Sequence, residues 1–363
     1  MFCRRPFSER EIEEGISVKT SPLLLVRADA SPAIGSGHVM RCLALAKAWQ
    51  NVGGRVSWLM AENIASLDER LVDEGMDRRS LAAEPGTARD AAQTVAVARG
   101  TNPAWVVVDG YRFQPAYIRE LESAGLRVLF MDDDGRFDSY VSDVVLNQNV
   151  SARPEMYEKR ESFTRLLLGS EYVLLRPEFL AEPPVRDIRA IGKNLLVTMG
   201  GSDPQDVTRI VLLAMKQVES TFEAKVVIGG GNLRQNELET LVVELNPNVK
   251  LERSPKDMAP LMRWADVAIS GAGGTCWELA YMGVPSIVIA LSADQRGIAE
   301  GLAMRDIVVN LGWHATLTEE RICDALLSLS NDHRRRSAMS ERGRNLIDGR
   351  GAARVVEFLQ NSL

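Results

Sequence analysis

Leu23-Leu24-Leu25-Val26-Arg27-Ala28-Asp29, then Ala30-Ser31-Pro32-Ala33-Ile34-Gly35-Ser36-Gly37-His38, then Val39-Met40-Arg41-Cys42-Leu43-Ala44-Leu45-Ala46-Lys47-Ala48-Trp49, reads as a buried strand, a glycine-bearing loop and a helix. Four successive apolar residues, Leu23 to Val26, bounded by Pro22 and by the polar Arg27 and Asp29, suit a central strand of a parallel sheet. Gly35 and Gly37 permit a tight turn and close ligand approach at the helix mouth. Val39, Cys42, Leu43, Ala46 and Trp49 recur on one helical face. This order sets His38 in the first turn of a helix, at the carboxyl end of a parallel strand, where open α/β sheets bind ligands. Arg41, three residues on, shares its side of the helix. The positive end of a helix dipole is a poor place for a cation, which suits an imidazole acting as a base. His314 and His333 fall in a late loop and an arginine-rich helix, so His38 is the candidate for chemistry. Its plain alternative is a histidine that merely caps a helix.

Outward from this stretch, strands and helices alternate, which indicates a parallel sheet. Arg55 to Met60, Trp105 to Val108, Leu126 to Met131 and Asp143 to Leu146 read as strands, with Arg79 to Ala83 a weaker one. Ile64 to Glu74, Ala88 to Arg99 and Pro115 to Ala124 read as helices. Polar residues collect where the strands end: Asp29, Asp109 with Tyr111, Asp132, and Asn147 with Asn149. Singly, each reads as a loop cap; together at one sheet edge they outline a pocket wall. The run Asp132-Asp133-Asp134 does not suffice for a metal cage, because neighbours on one loop need distant partners. No metal and no cofactor is expected.

Ala181-Glu182-Pro183-Pro184-Val185-Arg186-Asp187 breaks the pattern and marks a domain boundary. Beyond it the strand–glycine–helix device recurs. Asn194 to Met199 leads into Gly200-Gly201-Ser202-Asp203-Pro204 and a helix through Val218. Ala224 to Ile228 ends in three glycines. Asp266 to Ser270 leads into Gly271-Ala272-Gly273-Gly274-Thr275 and the helix Cys276 to Met282. A glycine loop of this kind presents backbone amides to a diphosphate. Glu278, one turn in, is a carboxylate able to accept from the two adjacent hydroxyls of a ribose. Neither half carries Gly-x-Gly-x-x-Gly with an acidic residue about twenty positions on, which disfavours a nicotinamide dehydrogenase.

The bulk numbers agree with two domains of roughly 150–180 residues each. The chain has 363 residues, 45% hydrophobic and 25% charged. A net charge of −6 leaves no basic excess to track nucleic acid. The four cysteines are scattered, as in a reducing compartment, and no stretch reaches membrane-spanning length. A cytoplasmic protein without stable membrane insertion is expected. Residues 1–20, charged and without an apolar core, read as a flexible extension, not a signal peptide. The expected division is therefore 1–20 extension, 21–180 first domain, 181–193 linker, and 194–363 second domain.

Arg27-Ala28-Asp29-Ala30-Ser31 with Gly35-Ser36-Gly37-His38-Val39-Met40-Arg41-Cys42-Leu43 resembles the opening motif of the UDP-2,4-diacetamido-2,4,6-trideoxy-β-L-altropyranose hydrolases of pseudaminic acid biosynthesis. The likeness continues in Asn147-Gln148-Asn149, Leu174-Leu175-Arg176-Pro177-Glu178-Phe179 and Met199 to Pro204. It continues again in Gly273 to Tyr281 and Gln295 to Glu300. Spore-coat polysaccharide proteins and MurG-type N-acetylglucosaminyltransferases share parts of the pattern. The resemblance implies a glycosyltransferase-B-like α/β fold, two Rossmann-like parallel-sheet domains facing across a cleft. It implies UDP on the second domain, held by Gly200, Gly201, Gly273, Gly274, Thr275 and Glu278. It implies a sugar bound by Asp294, Gln295, Arg41, Asp29, Tyr111, Asn147 and Asn149. His38 would activate water for inverting attack at the anomeric carbon, releasing UDP from a UDP-linked diacetamido-trideoxy sugar destined for a flagellin or surface glycan. Where that family usually reads Asp-Asn-Gln, this chain has Ala293-Asp294-Gln295, which alters charge and donors near the sugar. The alternatives are a MurG-like UDP-sugar glycosyltransferase in surface polysaccharide synthesis, and a catalytically silent UDP-sugar-binding protein.

Overall fold

β1 (Leu23–Ala28) is buried along its whole length, as its apolar run requires. Arg27 lies inside that run and is fully buried, because Asp90 accepts from its Nε and Nη2 at 3.0 and 2.8 Å and Asp29 lies 2.7 Å from its Nη1. A buried cation persists only when compensated in this way. The computed structural model describes residues 21–181, 186–218, 222–245 and 248–363. The extension expected at 1–20 and part of the expected linker lie outside the described residues.

β2 (Arg55–Met60), β3 (Asp77–Ser80), β4 (Trp105–Asp109), β5 (Val128–Met131), β6 (Val144–Asn147) and β7 (Arg165–Leu168) join β1 in an all-parallel sheet of order β3-β2-β1-β4-β5-β6-β7. A second parallel sheet holds β8 (Asn194–Thr198), β9 (Glu223–Ile228), β10 (Val249–Arg253), β11 (Val267–Gly271), β12 (Ser286–Ala290) and β13 (Val308–Trp313). Its order is β10-β9-β8-β11-β12-β13. Read from the third strand inward, both sheets follow the doubly wound 3-2-1-4-5-6 order. Two Rossmann-like sheets thus face each other across a cleft, as expected. Each reverses direction at one switch point, between β1 and β4 in the first and between β8 and β11 in the second. There the carboxyl ends of two adjacent strands splay their following loops apart, and ligands bind in the crevice between them.

The helix Gly37–Asn51 lays Val39, Cys42, Leu43, Ala46 and Trp49 against the first sheet, all buried. Gly54 lets the chain turn beneath it: a Cβ there would meet the Trp49 ring at 2.2 Å. The helices Ala88–Thr101 and Pro115–Ser123 cover the opposite face of that sheet.

The simple division into 21–180 and 194–363 does not survive at either end. Val173 and Leu175 pack in a core with Trp277, Ala280 and Ile298, and Phe179 packs with Leu196 and Leu279, all of the second lobe. In return, the last helix, Gly351–Asn361, packs on the first lobe against Gly37–Asn51. Its Ala352, Val355, Val356 and Leu359 form one apolar stripe, and the Leu359 carbonyl accepts from Trp105 Nε1 at 3.1 Å. Burying a Val or Leu side chain contributes roughly 1.5–3 kcal/mol, so the stripe belongs where the apolar surface is. The two crossings touch: a Cβ on Gly351 would stand 2.2 Å from the Val173 carbonyl. Among the described residues, no helix is long and apolar enough to cross a membrane.

Candidate active site between the lobes

The register of the first sheet sets Ala28 opposite Asp109, so the loop after β1 and the end of β4 share one edge. His38, at the start of the helix after that loop, points Nδ1 at Asp109 Oδ1, 2.7 Å away. Both side chains are buried, His38 to 6% exposure and Asp109 to 0%. Arg41 donates to both Asp109 oxygens, from Nε at 2.6 Å and Nη2 at 2.7 Å, and to both oxygens of Asp133, at 2.6 and 3.0 Å. Burial opposes ionisation of Asp109, yet the Arg41 guanidinium and His38 outweigh it and hold its carboxyl well below the usual carboxylate range. An ionised Asp109 can only accept, so Nδ1 donates to it and Nε2 is the ring nitrogen left for other chemistry. Carboxylate, imidazole and open Nε2 are the parts of a general base.

Tyr111 stands edge-on to the His38 ring, centroids 4.5 Å apart, and its hydroxyl donates to Asp294 Oδ2 at 2.8 Å. Asp294 belongs to the second lobe, so this bond spans the cleft. The pocket beside His38 is lined also by Gly110, Met131, Asp132, Asp134 and Arg136 and measures about 10 Å³, room for about one water. Burial and the nearby Asp132 raise the Asp134 carboxyl above its ordinary value.

The residues expected to bind sugar separate into groups. Arg41 and Tyr111 surround His38. Asn149 reaches the same cluster, its Nδ2 donating to the Asp133 carbonyl at 3.0 Å. Asn147 stands one step behind, donating to the Tyr157 hydroxyl and accepting from the Asn149 N–H. Asp294 and Gln295 lie on the opposite wall. Gln295 accepts from Leu291 N–H, and a Cβ on Gly273 would stand 3.4 Å from its Nε2. Asp29 does not join them. One of its oxygens takes the Ala61 and Glu62 amides at 2.7 and 3.1 Å and the other faces Arg27, which makes it a brace between β1 and the turn after β2.

On the second lobe, Gly200 and Gly201 follow β8, and Gly273, Gly274 and Thr275 follow β11, its hydrogen-bonded neighbour. The carbonyls of Gly273 and Gly274 accept from Cys276 and Trp277 at 3.0 and 3.1 Å, while their own amides donate to nothing among the described residues. The lobes meet closely at Gly201: a Cβ there would stand 2.6 Å from Ser36 Oγ and 3.2 Å from the Ser36 amide nitrogen, two residues before His38. Glu278 Oε1 accepts from Arg176 Nε at 2.8 Å. From the sequence, Asp109 stands only among the strand-end residues that outline a pocket wall, and Asp133 and Arg176 have no individual role. The signal for Asp109 was present: it ends a buried strand next to β1.

Residues 194–349 match the Glycosyltransferase family 28 C-terminal domain. The chain is 30% identical to the spore coat polysaccharide biosynthesis protein SpsG of Bacillus subtilis, over 64% of this chain and 69% of that protein. It is 23% identical to the UDP-2,4-diacetamido-2,4,6-trideoxy-beta-L-altropyranose hydrolase of Campylobacter jejuni, over 78% of this chain and 96% of that one. With the UDP-N-acetylglucosamine–N-acetylmuramyl-(pentapeptide) pyrophosphoryl-undecaprenol N-acetylglucosamine transferase of Stutzerimonas stutzeri it shares 26% identity, over 86% of this chain and 94% of that enzyme. The crystal structure of Acinetobacter baumannii MurG superimposes with a TM-score of 0.64 at 18% identity, covering 94% of this chain and all of that one, which establishes the shared glycosyltransferase-B-like fold.

Proposed function

Because the chain belongs to the family of the spore coat polysaccharide biosynthesis protein SpsG, we propose that it breaks the anomeric C–O bond of a UDP-linked amino sugar. The observation that carries this reading is the Asp109–His38 pair at the switch point of one lobe, opposite the glycine loops and Glu278 of the other. The loop amides at Gly273 and Gly274, with Gly200 and Gly201 beside them, take the diphosphate and meet the charge that grows on it as it leaves. Glu278 accepts from the ribose hydroxyls. His38 Nε2 removes the acceptor's proton as its oxygen attacks the anomeric carbon from the face opposite UDP. General-base help of this kind is typically worth about 10²–10⁴ in rate. Tyr111, Asp294, Gln295 and Asn149 orient the sugar.

The acceptor in this proposal is a hydroxyl of a second sugar or polysaccharide precursor. Supporting it are the likeness to the transferase of Stutzerimonas stutzeri along 94% of that enzyme and the family 28 match. A second reading makes water the acceptor and pseudaminic acid biosynthesis the setting. The water-sized pocket at His38 and the likeness to the Campylobacter jejuni hydrolase along 96% of its length favour that reading. Incubation with a panel of UDP-linked amino sugars, with and without a hydroxyl acceptor, separates the two. UDP release that depends on acceptor supports transfer; release with free sugar in its absence supports hydrolysis. UDP binding without release under either condition would leave a binding protein and remove the proposal.

A further inference from the structure

Four side chains from three segments make one continuous ion-pair chain that starts on the first lobe and ends at Glu278. Arg70, on the first-lobe helix Ala65–Asp73, donates from Nη2 to Glu178 Oε1 at 2.8 Å. Arg176 Nη1 lies 2.9 Å from that same oxygen, and Arg176 Nε donates to Glu278 Oε1 at 2.8 Å. All four are mostly buried, with side-chain exposures from 9% to 15%. Glu178 and Arg176 are fixed to the second lobe: Phe179, next in sequence, is seated in its core, and the Arg176 guanidinium stacks 4.9 Å above the Phe179 ring. Arg70 is the only member from the first lobe. It reaches the second lobe twice, donating also to the Lys256 carbonyl at 3.0 Å, and Lys256 pairs with Asp73 one turn on.

The sharing of one carboxylate by two guanidiniums has a direction. With Arg70 engaged, the charge of Glu178 is divided, and Arg176 remains available to Glu278. Without Arg70, Glu178 turns its full charge on Arg176 and draws it from Glu278. At these distances and this burial such competition is worth far more than on an exposed surface. A planar guanidinium that touches two carboxylates at fixed angles also transmits a shift of one to the other.

We propose that Arg176 and Glu178 are positioning residues that relay the seating of the first lobe, through Arg70, to the Glu278 carboxylate and so to its hold on the nucleotide's ribose. The proposal rests on the assignment of Glu278 to the ribose and assigns the Arg-Pro-Glu stretch its role. Nucleotide affinity thereby comes to depend on lobe closure through a residue that does not touch Glu278.

The test compares binding of UDP with that of 2′-deoxy-UDP by calorimetry. Wild-type protein is expected to prefer UDP by about tenfold or more, the worth of a charge-assisted hydrogen bond. Arg70→Met is expected to shrink that ratio at least threefold, and Arg70→Lys, which keeps a charge on Glu178, to restore most of it. In a Glu178→Gln background, adding Arg70→Met should leave the ratio unchanged, because the link is already cut. A merely structural weakening would lower both affinities equally and spare the ratio. An undiminished ratio in Arg70→Met, or the same drop in the Glu178→Gln background, overturns the relay alone. A wild-type protein that does not distinguish the two nucleotides overturns the ribose assignment and the relay with it.

Discussion

His38 Nδ1 and Asp109 Oδ1 are 2.7 Å apart although 71 residues separate them in the chain. The adjacency of β1 and β4 makes this contact, and Arg41 locks it by binding both oxygens of the same carboxylate. An imidazole held this way has one tautomer and one orientation, which a base at a reacting centre requires.

Asp109→Asn replaces an acceptor pair by an amide that can present its N–H₂ to Nδ1 and reverse the tautomer. Turnover of a UDP-linked sugar should fall on the order of 10²–10⁴-fold, with UDP affinity little changed. Arg41 would lose part of its pairing, and stability should drop by about 1.5–3 kcal/mol in urea titrations.

The depressed Asp109 carboxyl also gives stability a pH dependence of known sign. Its folded-state value lies below that of the unfolded chain, so its contribution is complete above the unfolded value, about pH 4. It is lost as pH falls towards the folded value. The difference in urea midpoint between wild type and Asp109→Asn should shrink as pH falls below about pH 4. A difference that grew as pH fell through that range would contradict the ion-pair assignment.

Tyr111→Phe removes the hydroxyl that donates across the cleft to Asp294. A lost hydrogen bond to a charged acceptor is worth about 1.5–3 kcal/mol when buried and less at this partly exposed position, so KM should rise about three- to tenfold. Asp294→Asn retains an acceptor for the same hydroxyl and should have the smaller effect. Steady-state kinetics on both variants decides whether the bond or the charge matters.

Leu359→Ala probes the return of the last helix to the first lobe. Leu359 is fully buried beside Trp49 and Trp105, so truncation should cost about 2–5 kcal/mol. The loss should be read in the unfolding of the first lobe. If the helix belonged only to the second lobe, tryptophan fluorescence from Trp49, Trp58 and Trp105 would be unmoved.

Much of the fold was legible because its strands are apolar runs and its loops are glycine-rich. The strand–loop–helix at 23–49, the strands at 55–60 and 105–108, and the glycine loops at 200–201 and 273–275 stand where their patterns set them, the second of those two strands running on one residue to Asp109. The helix expected from Pro204 begins instead at Val207, because the Asp203 carboxylate caps the Val207 and Thr208 amides. The domain exchange was not legible. The stripe of Ala352, Val355, Val356 and Leu359 announces a buried helix without saying against which sheet. In the site, His38 could be found locally, but its partner required knowing that β4 lies beside β1. Asp29 sits at a strand end as Asp109 does, and its position alone points to the same pocket wall. The amides of Ala61 and Glu62, supplied by the neighbouring β2 turn, divert it to a structural task.

The central claim is that His38 is the base at the anomeric centre. It is tested most directly by His38→Asn, with UDP release from a turned-over UDP-linked amino sugar and UDP affinity measured on the same preparation. The expected result is a fall in kcat of about 100-fold or more with UDP affinity within about threefold of wild type. Turnover within about tenfold of wild type would contradict the account.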